Sequence, residues 1–286
     1  MVYCSVSGYG TTGPLSQLGG YDLVGQGYSG LMSLTGEPGR GPIKIGVPIC
    51  DIAAGTFAAN AVLGAFVHAS RTGEGQFVES SLLEAGTAFT VWEAALLFGA
   101  DIKAGQTGTA HRLSAPYQSY ETSDGWINIG AANQKSFKVL TEVLEIPEVL
   151  EDPRFSAGPA RMKNLSALNG ILHEAFGSNT TDHWVALLSE AGVPCGPVLD
   201  IEAAYASEQA VSRRIIVDGE HPKLGAVKYL NTPFKMSATP PQIERPAPLL
   251  GEHTSEVLAA AGYSDQKIAE LLSAGVVSQS VNGDAA

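Results

Sequence analysis

The longest mostly apolar stretch of the chain runs from Ile52 to Ala69. Asp51 precedes it and Arg71-Thr-Gly-Glu-Gly-Gln76 follows it. An acidic residue at the start and a cation with glycines at the end are helix boundary signals, so the pattern predicts a core helix of about five turns. Gly55, Thr56, Asn60, Gly64 and His68 interrupt the run, which favours a helix buried in protein over a membrane span. Val2–Val6 reads as a buried strand with no lead-in, so the chain looks like the second part of something. Gln76–Ser80 reads as a second short strand and Leu82–Ala100 as another helix. Glycine and proline crowd the stretch from Gly8 to Pro48, which predicts loops with short elements.

The pattern changes after Asp101. Between Asp101 and Arg112 the residues are polar and glycine-rich, and a domain boundary is placed there. Pro116–Glu121 and Trp126–Gly130 flank Ser123-Asp124-Gly125, a hairpin signal. Lys135–Leu144 and Asp182–Ala191 are patterned as amphipathic helices, and Pro194–Val198 continues the same unit. Strand-like pieces return at Ile215–Val217 and Val227–Tyr229, and Pro233–Pro248 is an extended connection. A last helix pair, His253–Ala261 and Asp265–Ala274, has Ser264 and Asp265 to start its second member. The tail after Val277 is expected to fray. The fold class is α/β: a large domain whose first part is 1–104, an inserted smaller α+β domain at 105–212, and a return to the large domain with C-terminal helices at 213–286.

Composition narrows the partners. Of the 286 residues only 16% are charged, below the usual share of about 25%, which suggests that much surface is covered by a partner. The net charge of −12 argues against nucleic acid and anionic membrane, because both repel such a chain at long range. Cys4, Cys50 and Cys195 form no CxxC pair, so buried free thiols in a reducing cytoplasm are expected, with no zinc site. The N-terminus lacks the charged and apolar regions of a signal peptide, and the localisation expected is cytoplasmic.

Four sets of residues could carry chemistry. Gly8-Tyr-Gly10-Thr-Thr-Gly13 follows a strand and matches GxGxxG, but Pro14 and Gly19-Gly20 leave no room for the helix that a dinucleotide site needs. Asp51 is either a plain helix cap or a carboxylate nucleophile held at a helix start. Tyr21, Asp22 and Gln26 form either a surface turn or a substrate loop bearing a phenol, a carboxylate and an amide. His111-Arg112 is either a polar hinge or an anion-binding pair. Glu79, Glu84 and Glu93 make no convincing acid–base pair. No GxSxG, HExxH or P-loop occurs.

Several motifs taken together resemble the family III CoA-transferases. They include Ser7-Gly-Tyr-Gly-Thr-Thr-Gly-Pro14, Gly20-Tyr-Asp-Leu23, Ser29-Gly-Leu-Met-Ser-Leu-Thr-Gly36 and Gly46-Val-Pro-Ile-Cys-Asp51. The likeness continues through Arg71–Gln76, Ser81–Ala85, Ala115–Gln118, Asp124–Trp126, Gly196–Val198, Ala247–His253 and Ala261–Tyr263, nearly the whole chain. The resemblance implies a Rossmann-like large domain and a smaller domain, with two chains interlaced as a homodimer. It places Asp51 where the transferases carry their catalytic aspartate. It implies acyl-CoA and a carboxylic acid as substrates and coenzyme A as co-substrate, with no resident cofactor and no metal.

Two departures from the family pattern stand out. Members carry a long stretch ahead of the strand that begins here at Val2. A separate chain is then expected to supply it, or the product is a truncated, non-catalytic member acting through protein association. Secondly, Gly108-Thr-Ala-His-Arg112 is not the glycine-rich loop that some transferases fold over the site. The racemase branch pairs its aspartate with a histidine in Gly-His-Asp. Tyr21 stands at that place, so one proton carrier is missing and transfer is favoured over racemisation.

Overall fold

A computed structural model describes residues 1–280. The first of its two compact units is Met1–Val198 and the second begins at Leu199. The first unit opens with β1 (Tyr3–Ser7), then α1 (Asp22–Tyr28), α2 (Leu31–Leu34), α3 (Ile49–Thr72), β2 (Phe77–Ser81), α4 (Leu82–Ala88) and α5 (Val91–Ala100). Strands β1 and β2 pair in parallel, with Tyr3 opposite Phe77 and Ser7 opposite Ser81. Parallel partners need a crossover between them, and α3 lies on that crossover, packed on both strands and on α4. Gly8 and Gly20 explain how the chain returns from β1 to α1. A Cβ on Gly8 would stand 2.8 Å from the Gly20 Cα, so the two backbones cross in direct contact.

The core beneath α3 is thin. It consists of Leu31, Cys50, Ala53, Ala54, Leu82 and Ala85. The expectation that α3 is a buried core helix holds for one face only. Ala53, Ala54, Ala58 and Ala65 face inward, while Ile52, Phe57, Leu63, Phe66 and Val67 are exposed. The helix is long and apolar enough to cross a membrane by length and composition, yet its small-residue face is packed on protein. Helix α5 has no buried residue, and Phe98 is 84% exposed.

One expected helix is in fact two. The segment Leu82–Ala100 bends by 68° at Phe89–Thr90, between α4 and α5. The cause is local. Phe89 N–H bonds to the Gly86 carbonyl at 3.2 Å and Thr90 N–H to Thr87 at 3.0 Å, a tightened turn. The Thr90 hydroxyl also donates to the Thr87 carbonyl at 2.8 Å.

The remainder of this unit is β3 (Tyr117–Glu121), β4 (Trp126–Gly130), α6 (Gln134–Val143), α7 (Gly158–Lys163), α8 (Leu165–Gly177), α9 (Thr181–Glu190) and β5 (Cys195–Pro197). Strands β3, β4 and β5 form an antiparallel sheet in that order. The predicted hairpin is β3–β4, and Asp124 in its turn accepts the Thr181 N–H at 2.8 Å, tying the turn to the start of α9. A second core forms here around Tyr120, Ile127, Phe137, Leu168, Phe176 and Trp184. Arg161 is buried in it at 1% exposure, with no carboxylate partner among the described residues. Its guanidinium donates to the carbonyls of Ala115, Phe155 and Ala132 and to Gln134 Oε1, and lies 4.3 Å over the Phe137 ring. Burial lowers its pKa from the usual arginine value.

The second unit contains α10 (Ile201–Ala206), α11 (Glu208–Ser212), the antiparallel hairpin of β6 (Ile216–His221) and β7 (Gly225–Leu230), α12 (Thr254–Ala260) and α13 (Asp265–Ser273). Ser264 caps α13 by accepting Lys267 N–H at 3.3 Å, as its sequence signal predicts. The expected fraying after Val277 does not extend to Gln279, whose amide oxygen accepts from Ser255 N–H at 2.9 Å. The rest of that tail, 281–286, lies outside the described residues. Of the three thiols only Cys50 is fully buried; Cys4 and Cys195 are half-buried.

Candidate functional site

The sequence Gly46-Val-Pro-Ile-Cys-Asp51 turns the chain into α3. Pro48 takes the capping position and Asp51 is the third helical residue. The cap itself comes from elsewhere in the chain. Asp22 Oδ1, from α1, accepts the Cys50 N–H at 2.9 Å. Successive helical residues are about 100° apart, so Cys50 and Asp51 face different ways. Cys50 is fully buried, and Asp51 is exposed. Among the described residues no hydrogen bond or ion pair engages the Asp51 carboxylate. A carboxylate in the first turn of a long helix is stabilised by the partial positive charge there. Asp51 therefore has the standing of an anion at a helix start without the duty of capping it.

Asp22 and Gln26 stand one helical turn apart on α1 and act together. Gln26 Nε2 donates to Asp22 Oδ2 at 2.7 Å, and Gln26 Oε1 accepts the Ile45 N–H at 2.8 Å. Gln26 is 0% exposed, so these bonds form in a dry place. The pair clamps the segment that leads into α3 and fixes the first turn of that helix. Both side chains are thereby committed to protein partners, while Tyr21 beside them is 82% exposed. Sequence reading places Tyr21, Asp22 and Gln26 on one loop and misses this clamp; the four-residue spacing of Asp22 and Gln26 is the signal that could have found it. Burial raises the Cys50 thiol pKa above the usual range, and the charges of Asp22 and Asp51 add to that.

His111 and Arg112 do not lie open as a pair. The His111 ring stacks on Tyr117 at 5.0 Å and meets Trp92 edge-on at 5.2 Å, and its Nδ1 accepts the Leu113 N–H. Arg112 donates to the Gly105 carbonyl at 2.7 Å and pairs with Glu93 at 3.5 Å. The three glutamates noted in the sequence are separately engaged: Glu93 by Arg112, Glu79 by the Thr11 N–H, and Glu84 by Ser81, whose hydroxyl accepts the Glu84 N–H and donates to the Glu84 carboxylate. Gly8, Gly10 and Gly13 lie in turns, with no helix opening on them.

A sequence profile of CoA-transferase family III matches residues 1–254. The chain belongs to that family. Among relatives of this family III chain, the succinyl-CoA:glutarate CoA-transferase of Homo sapiens is 37% identical, covering 98% of this chain and 64% of that protein. The succinate–glutarate CoA-transferase of Agrobacterium fabrum is 35% identical, covering 91% of this chain and 65% of that protein. The chain thus spans about 64% of the length of the human relative. A CAIB/BAIF family protein of Brucella suis, solved by crystallography, superposes with a TM-score of 0.80 at 33% identity, covering 91% of this chain and 68% of the other. The mixed α/β fold expected from the sequence is the fold of that protein.

Proposed function

We propose that this chain transfers coenzyme A between an acyl-CoA donor and a carboxylic acid acceptor in the cytoplasm, with Asp51 as nucleophile. The observation that carries the reading is the unengaged Asp51 carboxylate in the first turn of α3, with Asp22 doing the capping. The family relatives bear the names of CoA-transferases, which supports the reaction class.

In this reading Asp51 attacks the thioester carbonyl of the donor, forming an aspartyl–acyl anhydride and releasing the CoA thiolate. The thiolate attacks the aspartyl carbonyl, giving an aspartyl-CoA thioester and the free acid. The acceptor carboxylate then reverses the sequence. One thioester replaces another, so no external energy source enters. Holding the thiolate beside the anhydride makes the second attack effectively intramolecular, and excluding water prevents hydrolysis. Asp22 and Gln26 serve here by holding the helix start in place, and Tyr21 is free to orient the acid. His111 and Arg112 support the segment beside α5.

The exposed apolar faces of α3 and α5 favour a covering partner, and we assign that role to a second copy of this chain. Asp51→Ala and Asp51→Asn test the nucleophile. Both should fold normally and lose transfer by several orders of magnitude, and hydroxylamine added with acyl-CoA should convert Asp51 to its hydroxamate in the wild type only, displacing the acyl acid or CoA. Near-normal transfer by Asp51→Ala removes the mechanism.

A further inference from the structure

A cavity of about 600 Å³ lies along the sheet of β3, β4 and β5, lined among others by Thr109, Tyr117, Asn128, Asn133, Pro194 and Gly196. Three of these side chains have a feature in common. Thr109 Oγ1 accepts the Ser119 N–H at 3.1 Å, Asn128 Oδ1 accepts the Ser119 hydroxyl at 2.6 Å, and Asn133 Oδ1 accepts the Ser136 N–H at 2.8 Å. Each of these oxygens already accepts one hydrogen bond from inside the protein. What each still offers is a donor: one hydroxyl hydrogen and two amide groups.

Gly196 adds a second, independent observation. It sits in the middle of β5 with a backbone outside the left-handed region, and a Cβ built on it meets nothing within 4 Å. Neither the backbone conformation nor the packing requires glycine there. A glycine in a strand weakens it, and with no local reason for it here it marks open space for the close approach of a ligand or of another backbone. Tyr117, stacked flat on His111, gives the same cavity an apolar wall.

We propose that this cavity is a carboxylate-binding subsite, taking a small carboxylic acid by its oxygens against Thr109, Asn128 and Asn133 and its carbon body against Tyr117 and over Gly196. An ionised carboxylate is an acceptor-only group and complements a lining whose free polar groups are donors. Naming that acid as the substrate of transfer rests on the function proposed above; the binding itself does not.

The test is a titration of the full chain with glutarate, read by the side-chain amide NMR signals and by calorimetry, with glutaramide as the uncharged control. Asn128→Asp keeps the acceptor for Ser119 and replaces the donor with a charge. Gly196→Val fills the open space and suits a strand. The expected result is saturable movement of the Asn128 and Asn133 signals by glutarate and little by glutaramide. Affinity should fall at least tenfold in each variant, with unchanged thermal melting, and Asp51→Ala should bind as the wild type does. Stationary Asn128 and Asn133 signals at saturating glutarate, or undiminished affinity in Asn128→Asp, overturns the site. A chain that binds glutarate here and transfers no CoA supports the site and refutes only the proposed function.

Discussion

Replacing Gln26 by glutamate is the sharpest probe of the clamp that holds α3. The change keeps the side chain's size and its acceptor for the Ile45 N–H, but turns the donor aimed at Asp22 Oδ2 into an oxygen at the same 2.7 Å. Two ionised carboxylates at that distance repel by roughly 6 kcal/mol at an effective dielectric of about 20. The alternative is to keep one proton between them. Holding a proton on a glutamate of ordinary pKa about 4.3 costs about 3.7 kcal/mol at pH 7. Protonation is the cheaper route, so Gln26→Glu should lose about 3–4 kcal/mol at pH 7. The substituted pair has a raised folded pKa, so its stability is full below about pH 4 and falls by about 1.4 kcal/mol per pH unit as pH rises until the shared proton leaves. Urea unfolding of wild type and variant at several pH values between 4.5 and about 8, followed by circular dichroism, measures this difference. A stability difference that does not change with pH refutes the reasoning, because it means Asp22 and the residue at 26 do not share a buried contact.

Other expectations follow from single contacts. Arg161→Leu removes four hydrogen bonds from a charged donor and leaves three main-chain carbonyls without it; a loss of at least about 3 kcal/mol in urea denaturation is expected, against near-neutrality for a surface arginine such as Arg213. Asp124 has its pKa lowered, first by the Thr181 N–H and then by the Thr181 and Thr122 hydroxyls. Its contribution is therefore present above about pH 4 and lost as pH falls through the depressed value, so Asp124→Asn should flatten the acid limb of the stability curve, and an unchanged limb contradicts the assignment. Phe98→Glu, on the exposed face of α5, should leave the melting temperature of the dilute chain unchanged while shifting its sedimentation toward the monomer. Unaltered sedimentation of a self-associating chain removes α5 from the interface.

Where local chemistry decides the structure, the sequence is legible. Helix α3 follows from one long apolar run and its end signals, the β3–β4 hairpin from Ser123-Asp124-Gly125, and α13 from Ser264. Helix α1 is hidden because Gly25 and Gly27 interrupt only seven residues. Helix α8 goes unpredicted although Leu168, Leu172 and Phe176 stand at helical spacing, because Asn169 and Gly170 break its pattern. The turn within Leu82–Ala100 depends on a threonine hydroxyl competing for a main-chain carbonyl, which periodicity does not register. Asp51 enters as the candidate nucleophile by family likeness. Its freedom from capping is not legible, since the cap arrives from Asp22, which is remote in sequence and close only after folding. The donor lining of the cavity on β3–β5 depends in the same way on where Ser119 and Ser136 spend the acceptors around them.

The two cores of the first unit are unequal, and the difference bears on how the molecule behaves. Around Tyr120 and Phe176 the packing is aromatic and extensive, whereas beneath α3 it is three alanines, two leucines and a cysteine. Small side chains bury little area, so amide hydrogens near Asp51 should exchange with solvent well before those around Trp184. Asp51, the nucleophile we propose, is carried by the softer part of the first unit. A partner that covers α3 and α5 would firm up that part by mass action, and the rigidity around Asp51 would then belong to the assembly and not to the isolated polypeptide.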